Sequence, residues 1–259
     1  MGISGFTGYH APKVETWNDE DKKSPILIAH AGWPYGSGLV DAPATFKRAK
    51  RDGADGIEFD VSYTKDNQNV IMHWPTLYTT ICWNNKKQIT DYTLKELQTK
   101  CPLKNKETIP TLESFLKSNK WLFDYYFLEI KVYDKNKAEQ QTFDAINTVI
   151  KLWMEDKVVF ISYDKVANYI IWSHKKIRAG RDGYSNTDQN LVPDFPHEFY
   201  LLDQSYVNSG TNVIAKNMNK QFVTYTINTK ESYEKMRAFW VDRMMTDTIP
   251  LLKKLRANE

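Results

Sequence analysis

Nowhere does the chain run to the roughly 18 consecutive apolar residues that a membrane-crossing helix requires. Its first residues, Met1-Gly2-Ile3-Ser4-Gly5-Phe6, lack both a charged lead and a long apolar core, so no signal-peptide pattern is visible. The compartment stays open between the cytoplasm and a mature secreted form. Charge of one sign is also missing. The 35 basic residues against 32 acidic ones leave a formal charge of +3, with the lysines scattered, which excludes the clustered basic face of a nucleic-acid binder. Cysteine is scarce: Cys82 and Cys101 are compatible with one disulfide or with two free thiols. There is no low-complexity tract, no repeat of fixed period, no dividing linker and no signature of oligomeric state. The economical division is an N-terminal arm over residues 1–24 and one domain over 25–259. Aromatic residues, by contrast, are plentiful, at 14% of the chain with 8 Trp and 15 Tyr. Most such rings fill cores, and a surplus hints at contacts with carbohydrate-like ligands or lipid headgroups.

The 259 residues suit a single α/β barrel, which takes about 250. Short apolar runs alternate with helical periodicity. Strands are expected at Ile26–Ala29, Gly56–Val61, Phe127–Val132, Val158–Ser162, Ile177–Gly180, Gln221–Asn228 and Arg243–Asp247. Helical stretches fall between most of them. One is opened by Asp41 as N-cap and closed at Gly53; others start near Asp91 and Pro110 and cover 137–156, 164–175 and Lys230–Phe239. Residues 182–198 read as a loop. Strands separated by helices imply a mainly parallel sheet, and the fold expected is a TIM-like (β/α)8 barrel. Only nine residues separate Val61 from Ile71, too few for a helical crossover. Asp66-Asn67 makes a good two-residue turn, which predicts a hairpin around residues 60–73 with Asp60 opposite His73.

Ionisable residues fall at strand ends. His30 ends the first strand, Glu58 and Asp60 lie in the second, His73 ends the hairpin, and Glu129 and Lys131 interrupt an otherwise apolar strand. Side chains alternate along a strand, so Glu58 and Asp60 share a face, as do Glu129 and Lys131. Each signal alone is ordinary: an E-x-D pair is often a solvated edge, and a strand-terminal His is usually structural. Three carboxylates near one end of a barrel interior are costly without a cation, and that end is where barrel chemistry resides. Together they ask for a metal.

These residues resemble a known family. The series Ile28-Ala29-His30, Thr45-Phe46, Gly53–Val61, Thr64-Lys65-Asp66, Val70–His73, Ile109–Glu113 and Leu128–Lys131 is similar in order and spacing to glycerophosphodiester phosphodiesterases. The resemblance implies one divalent cation, Ca²⁺ or Mg²⁺, held by Glu58, Asp60 and Glu129, an all-oxygen set that suits a hard ion. It further implies His30 and His73 as general acid and base, in an order the sequence leaves open, and Lys131 on a phosphate oxygen. The departures are Ala31 where the family carries Arg, Pro43 for the usual Asn, Trp74 for an Asp, and Tyr225 for a Trp. Arg178 or Arg181 is a candidate replacement for the lost charge. Trp33 and Trp74 beside the histidines suggest an aromatic pocket for a lipid headgroup or polyol, with Tyr225 also at the substrate. The partner implied is a small phosphodiester or headgroup. Sphingomyelinase D-like phospholipases share this plan and carry a disulfide loop after the second His. A non-catalytic binding protein on the same fold and a sugar-processing barrel using Glu58 and Glu129 are further alternatives.

Overall fold

Eight strands run parallel around a closed ring. In the computed structural model, which describes residues 24–32, 39–83, 86–183, 197–211, 215 and 219–259, β1 (Ile26–Ala29) pairs with both β2 (Gly56–Tyr63) and β9 (Arg243–Thr246). Between them stand β4 (Tyr125–Ile130), β5 (Val158–Ser162), β6 (Arg178–Gly183), β7 (Phe199–Asp203) and β8 (Gln221–Tyr225), each hydrogen-bonded to the next. The arm expected over residues 1–24 lies outside the described residues but for Ser24, and so does Trp33. The expected TIM-like barrel is therefore observed. The sequence reading ended β6 at Gly180 and passed over β7 entirely; β7 supplies the strand that completes the ring.

Helices α1 (Pro43–Asp52), α3 (Leu112–Asn119), α4 (Ala138–Lys151), α5 (Lys165–Ser173), α6 (Lys230–Ala238) and α7 (Ile249–Arg256) surround the strands. The outward side chains of the strands and the inner faces of these helices form the main core. There Phe46 and Phe59 both pack on Phe115, with ring centroids 4.6 and 4.8 Å away. Caps start several helices where the sequence offers an oxygen: Thr111 accepts from the Ser114 backbone NH, and Asp164 from those of Val166 and Ala167. α1 differs. Its N-cap is Ala42, not Asp41, and Asp41 turns inward with φ 57°.

Inside the ring a second cluster of Ile28, Phe127, Val159, Ile161, Phe199, Leu201, Val223 and Met245 plugs the middle of the barrel. Two residues further along each strand, in the same inward register, the side chain turns polar. Ile28 gives way to His30, Phe127 to Glu129, Leu201 to Asp203, Val223 to Tyr225 and Met245 to Asp247. At the opposite end Arg178 lies on the Phe199 ring and is bound by Glu198, with Nε–Oε2 2.7 Å and Nη2–Oε1 2.6 Å. Arg178 is thus remote from the polar end. Arg181 stands between inward-facing Gly180 and Asp182 and so faces outward, near His197 and Tyr200. Neither arginine replaces the charge missing at Ala31.

The expected hairpin is present, in a different register. β3 (Asn69–Ile71) pairs antiparallel with β2, Val61 opposite Ile71 and Tyr63 opposite Asn69. The loop is Lys65-Asp66-Asn67, closed by Thr64 N donating to Gln68 O, with Asn67 left-handed at φ 61°. A three-residue loop ending in a left-handed residue was mistaken for a two-residue turn. Asp60 therefore bonds to Met72, whose NH reaches its carbonyl at 3.0 Å, and not to His73. His73 still arrives at the polar end because the strand stops at Ile71, after which side-chain alternation no longer governs.

Beyond the hairpin, residues 72–110 build a small lobe with its own core of Met72, Leu77, Ile89, Tyr92, Leu97, Leu103 and Ile109. It contains α2 (Leu94–Lys100), opened by a reciprocal Thr93–Glu96 cap. The question left by the two cysteines is answered here: Cys82 and Cys101 form a disulfide, Cα–Cα 5.3 Å. No helix among the described residues is long and apolar enough to cross a membrane.

Candidate active site

The polar end of the ring encloses a cavity of about 240 Å³ lined by His30, Glu58, Asp60, His73, Glu129 and Lys131, with Tyr163, Asp182, Asp203 and Tyr225 completing its wall. Seven of the expected site residues, Tyr225 included, thus meet in one place. Parallel pairing explains how: Asp60 on β2 stands in register with Glu129 on β4. Oxygens of Glu58, Asp60 and Glu129 all lie within 4.8 Å of one another, and all three residues are buried.

Burial and mutual repulsion set the protonation of this cluster. Burial, then the charge of Asp60, push Glu58 up to about 7, against the opposing pull of His30 and of the Ala31 NH, which donates to Glu58 Oε2 at 2.8 Å. Ala31 aims that NH from a left-handed backbone, φ 46°. Glu129 is raised well above the carboxylate range by burial, with Lys131 opposing and Asp60 adding to the rise. For Asp60 burial also raises, but Lys131, His73 and His30 outweigh it and hold the carboxyl below its ordinary value. Lys131 Nζ stands 2.5 Å from Glu129 Oε1 and 3.2 Å from Asp60 Oδ1. Although burial disfavours its charge, Asp60 and Glu129 raise its pKa.

The two imidazoles differ. Burial disfavours the charged form of His30, yet its hydrogen bond to Asp247 (Nδ1–Oδ1 2.8 Å) and the nearby Glu58 raise it to about 9. Asp247 is itself fixed by Asn228, whose Nδ2 donates to Oδ2 at 2.8 Å. His73 has no such carboxylate. Burial lowers its pKa, Asp60 opposes this, and Lys131 and His30 add to the lowering. Its Nδ1 is buried without a hydrogen-bond partner among the described residues, and its carbonyl accepts from the Tyr133 hydroxyl.

Four further carboxyls at this end, Asp41, Asp182, Asp203 and Asp247, were not singled out for the site in the sequence. Asp41, assigned to a helix cap, accepts from the Asp60 backbone NH at 3.3 Å and is raised well above its ordinary value by burial and by Asp60. Asp182 is pushed up to about 6 by burial, opposed by hydrogen bonds from Tyr163 and Tyr225, the latter at 2.6 Å. Asp182 and Asp203 each sit two residues past an inward-facing position on their strands, and the alternation that found Glu129 would have found them had β6 been carried to Gly183 and β7 recognised. Asp247 ends the strand expected at Arg243–Asp247 but was not singled out there. Of the aromatic residues expected at the substrate, Tyr225 lines the cavity, and Trp74 lies outside the lining but in contact with His73, 3.9 Å between ring centroids with the planes tilted by 55°.

A divalent cation suits this donor set. Four buried carboxyls, with Asp182 as a fifth at the wall, face one lysine and one histidine held charged. Among the described residues, Asp41 Oδ2 lacks any hydrogen-bond partner, and Asp60 Oδ1 has the Lys131 ammonium beside it at 3.2 Å. The residues that could hold the ion are Glu58, Asp60 and Glu129, all through oxygen.

The model of the Glycerophosphoryl diester phosphodiesterase family matches residues 43–251, well over half of the chain. The chain belongs to that family. A glycerophosphodiester phosphodiesterase of Caldanaerobacter subterraneus subsp. tengcongensis is 46% identical over 73 residues, which are 28% of this chain and 29% of that relative. Among solved structures, an Oleispira antarctica phosphodiesterase in complex with the product sn-glycerol-3-phosphate superposes with a TM-score of 0.79 at 20% identity, covering 91% of this chain and 97% of that one. A glycerophosphodiester phosphodiesterase from Parabacteroides distasonis gives 0.76 at 22% identity, covering 92% and 98%. At such identities the likeness is one of fold. Family membership favours the glycerophosphodiesterase resemblance over the sphingomyelinase D one, although the Cys82–Cys101 loop behind His73 is a feature the latter also carries.

Proposed function

We propose that this chain hydrolyses glycerophosphodiesters to glycerol 3-phosphate and an alcohol, with one Ca²⁺ or Mg²⁺ held by Glu58, Asp60 and Glu129. The observation that carries this reading is the convergence of three buried carboxylates from two strands in one cavity, flanked by imidazoles whose pKa values are displaced in opposite directions. A phosphodiester resists attack because its anionic oxygens repel the nucleophile and its leaving alkoxide is strongly basic. When bound, the cation neutralises the first of these obstacles. Lys131, at the cavity wall, supports the same phosphate oxygens as a point charge.

His73, kept neutral, takes the proton from the attacking hydroxyl, either water or the neighbouring hydroxyl of the glycerol moiety. His30, kept as imidazolium by Asp247, delivers a proton to the leaving oxygen. Attack by the glycerol hydroxyl passes through a cyclic phosphate, which a second proton transfer of the same pair opens with water. Ala31 offers no cation, so phosphate affinity rests on Lys131 and the metal. The test is a panel of soluble glycerophosphodiesters, with sphingomyelin and lysophosphatidylcholine as competitors, assayed with Ca²⁺, with Mg²⁺ and with chelator. Glycerol 3-phosphate release that needs the cation supports the reading. Choline release from the lipids alone, or turnover indifferent to chelation, overturns it.

A further inference from the structure

The lobe that follows His73 carries an exposed surface outside the lining of the cavity. Starting at His73, a track of aromatic rings leads away from the cavity: Trp74, then Tyr78 at 6.3 Å, then Trp83 at 5.9 Å. Trp74, Tyr78 and Trp83 are 41%, 48% and 46% exposed, and Ile81 between them is 61% exposed. These rings are not loose. The disulfide, the pairing of Thr80 with Leu103, and the Ile81 NH on the Pro102 carbonyl at 3.1 Å brace the segment that holds them. They pack edge to face on one another in place of entering the small core beneath.

The charge of the lobe is equally uneven. Residues 72–110 contain six lysines, all exposed (Lys86, Lys87, Lys95, Lys100, Lys104, Lys106), against Asp91, Glu96 and Glu107, a surplus of three in a chain whose whole formal charge is +3. Lys104 stands over the faces of Tyr78 and Trp83, 4.4 and 5.4 Å from the ring centroids. Tryptophan and tyrosine with one wet edge, an aliphatic tip and surrounding lysines form the combination that partitions into the headgroup layer of an anionic bilayer.

The geometry points to docking of this lobe on an anionic phospholipid surface, through Ile81, Trp83 and Lys104, with the cavity mouth held at the membrane. Large exposed rings also occur elsewhere: Trp121 and Trp153 are 78% and 80% exposed. They lie in the turns leading into β4 and β5, at the barrel end away from the cavity, so docking there would turn the site from the lipid. The inference stands apart from the chemistry proposed above, because it is read by binding and not by turnover.

The experiment is co-sedimentation of the full chain with vesicles of phosphatidylglycerol and phosphatidylcholine in equal parts, and of phosphatidylcholine alone. The protein is expected to pellet with the anionic vesicles and far less with the neutral ones. Ile81→Asp, Trp83→Ala and Lys104→Glu should each weaken partition roughly tenfold, whereas Trp121→Ala should leave it unchanged. Lys104→Glu alters only an exposed side chain and so keeps the test independent of folding losses. Hydrolysis of a soluble glycerophosphodiester should be the same in all three variants. No partition of the wild-type chain into anionic vesicles, or loss with Trp121→Ala in place of Trp83→Ala, overturns the inference. So does a raised KM for the soluble diester, which would assign the aromatic track to the substrate's alcohol.

Discussion

The two ends of the barrel interior bury polar groups on opposite principles. At the end where the strands begin, Arg178 is met by both oxygens of Glu198, and Gln221 Nε2 also donates to Glu198 Oε1 at 2.6 Å. Arg178 and Glu198 are matched donor to acceptor, although Arg243 Nε, at the start of β9, is buried without a hydrogen-bond partner among the described residues. At the other end the carboxyls of Asp41, Glu58, Asp60, Glu129, Asp182, Asp203 and Asp247 gather about Lys131 and His30, two of their oxygens are poorly satisfied among the described residues, and Glu58, Glu129, Asp41 and Asp182 are all pushed above their ordinary range. Between the two ends lies one apolar layer only a side chain or two thick. A matched set contributes stability and asks for nothing more. The unmatched set at the mouth forgoes stability for the capacity to bind a cation and move protons.

The largest expected effects come from completing or removing that mismatch. Chelation should abolish diesterase activity, and so should Glu58→Gln, while the variant stays folded. Adding Ca²⁺ or Mg²⁺ at roughly 100 times Kd should stabilise the wild-type chain by about 2.7 kcal/mol and Glu58→Gln much less, as read by thermal melting. Equal stabilisation of both would remove the metal site. His30→Ala and His73→Ala should each lower kcat by about 10²–10⁴-fold; a variant with unchanged turnover would strip that residue of its proton-transfer role.

Arg178→Ala tests the other side of the comparison. Leaving Glu198 without its bidentate partner should cost about 1–3 kcal/mol in denaturant unfolding with kcat unchanged, and a loss of turnover without a loss of stability would show that end of the barrel to be part of the site. The smallest effect is a displaced pH limb. A neutral His73 is needed as base, so kcat/KM should fall with acidification below the ordinary histidine value of 6.5. A protonated His30 is needed as acid, so it should also fall as pH rises through about 9. Asp247→Asn removes the main support of the imidazolium and should move the alkaline limb down, visible in a pH–rate profile; an unmoved limb would detach it from His30.

Much of this was legible in the residues. The alternation of Glu58 with Asp60 and of Glu129 with Lys131, each inside an apolar run, already placed four site groups on the inner face. The hairpin could be inferred from chain length but its register could not, because a loop of two and a loop of three both accept Asp66-Asn67. Asp41 reads as a helix cap in sequence, and only the inward turn at φ 57° sends its carboxyl to Asp60. β7 was missed because Phe199–Asp203 follows a polar, turn-rich stretch and lacks a helix-like segment immediately before it.

By itself the sequence determined that this chain builds a parallel α/β barrel and carries acidic and imidazole groups at the ends of its strands, since both follow from local periodicity and side-chain alternation. Tertiary structure decided which of those groups meet. Closing the ring brings β1 beside β9 and so gives His30 its Asp247, a partner 217 residues away, while His73 is left without one. That asymmetry between two otherwise equal imidazoles depends on which strands become neighbours, and no local pattern encodes it.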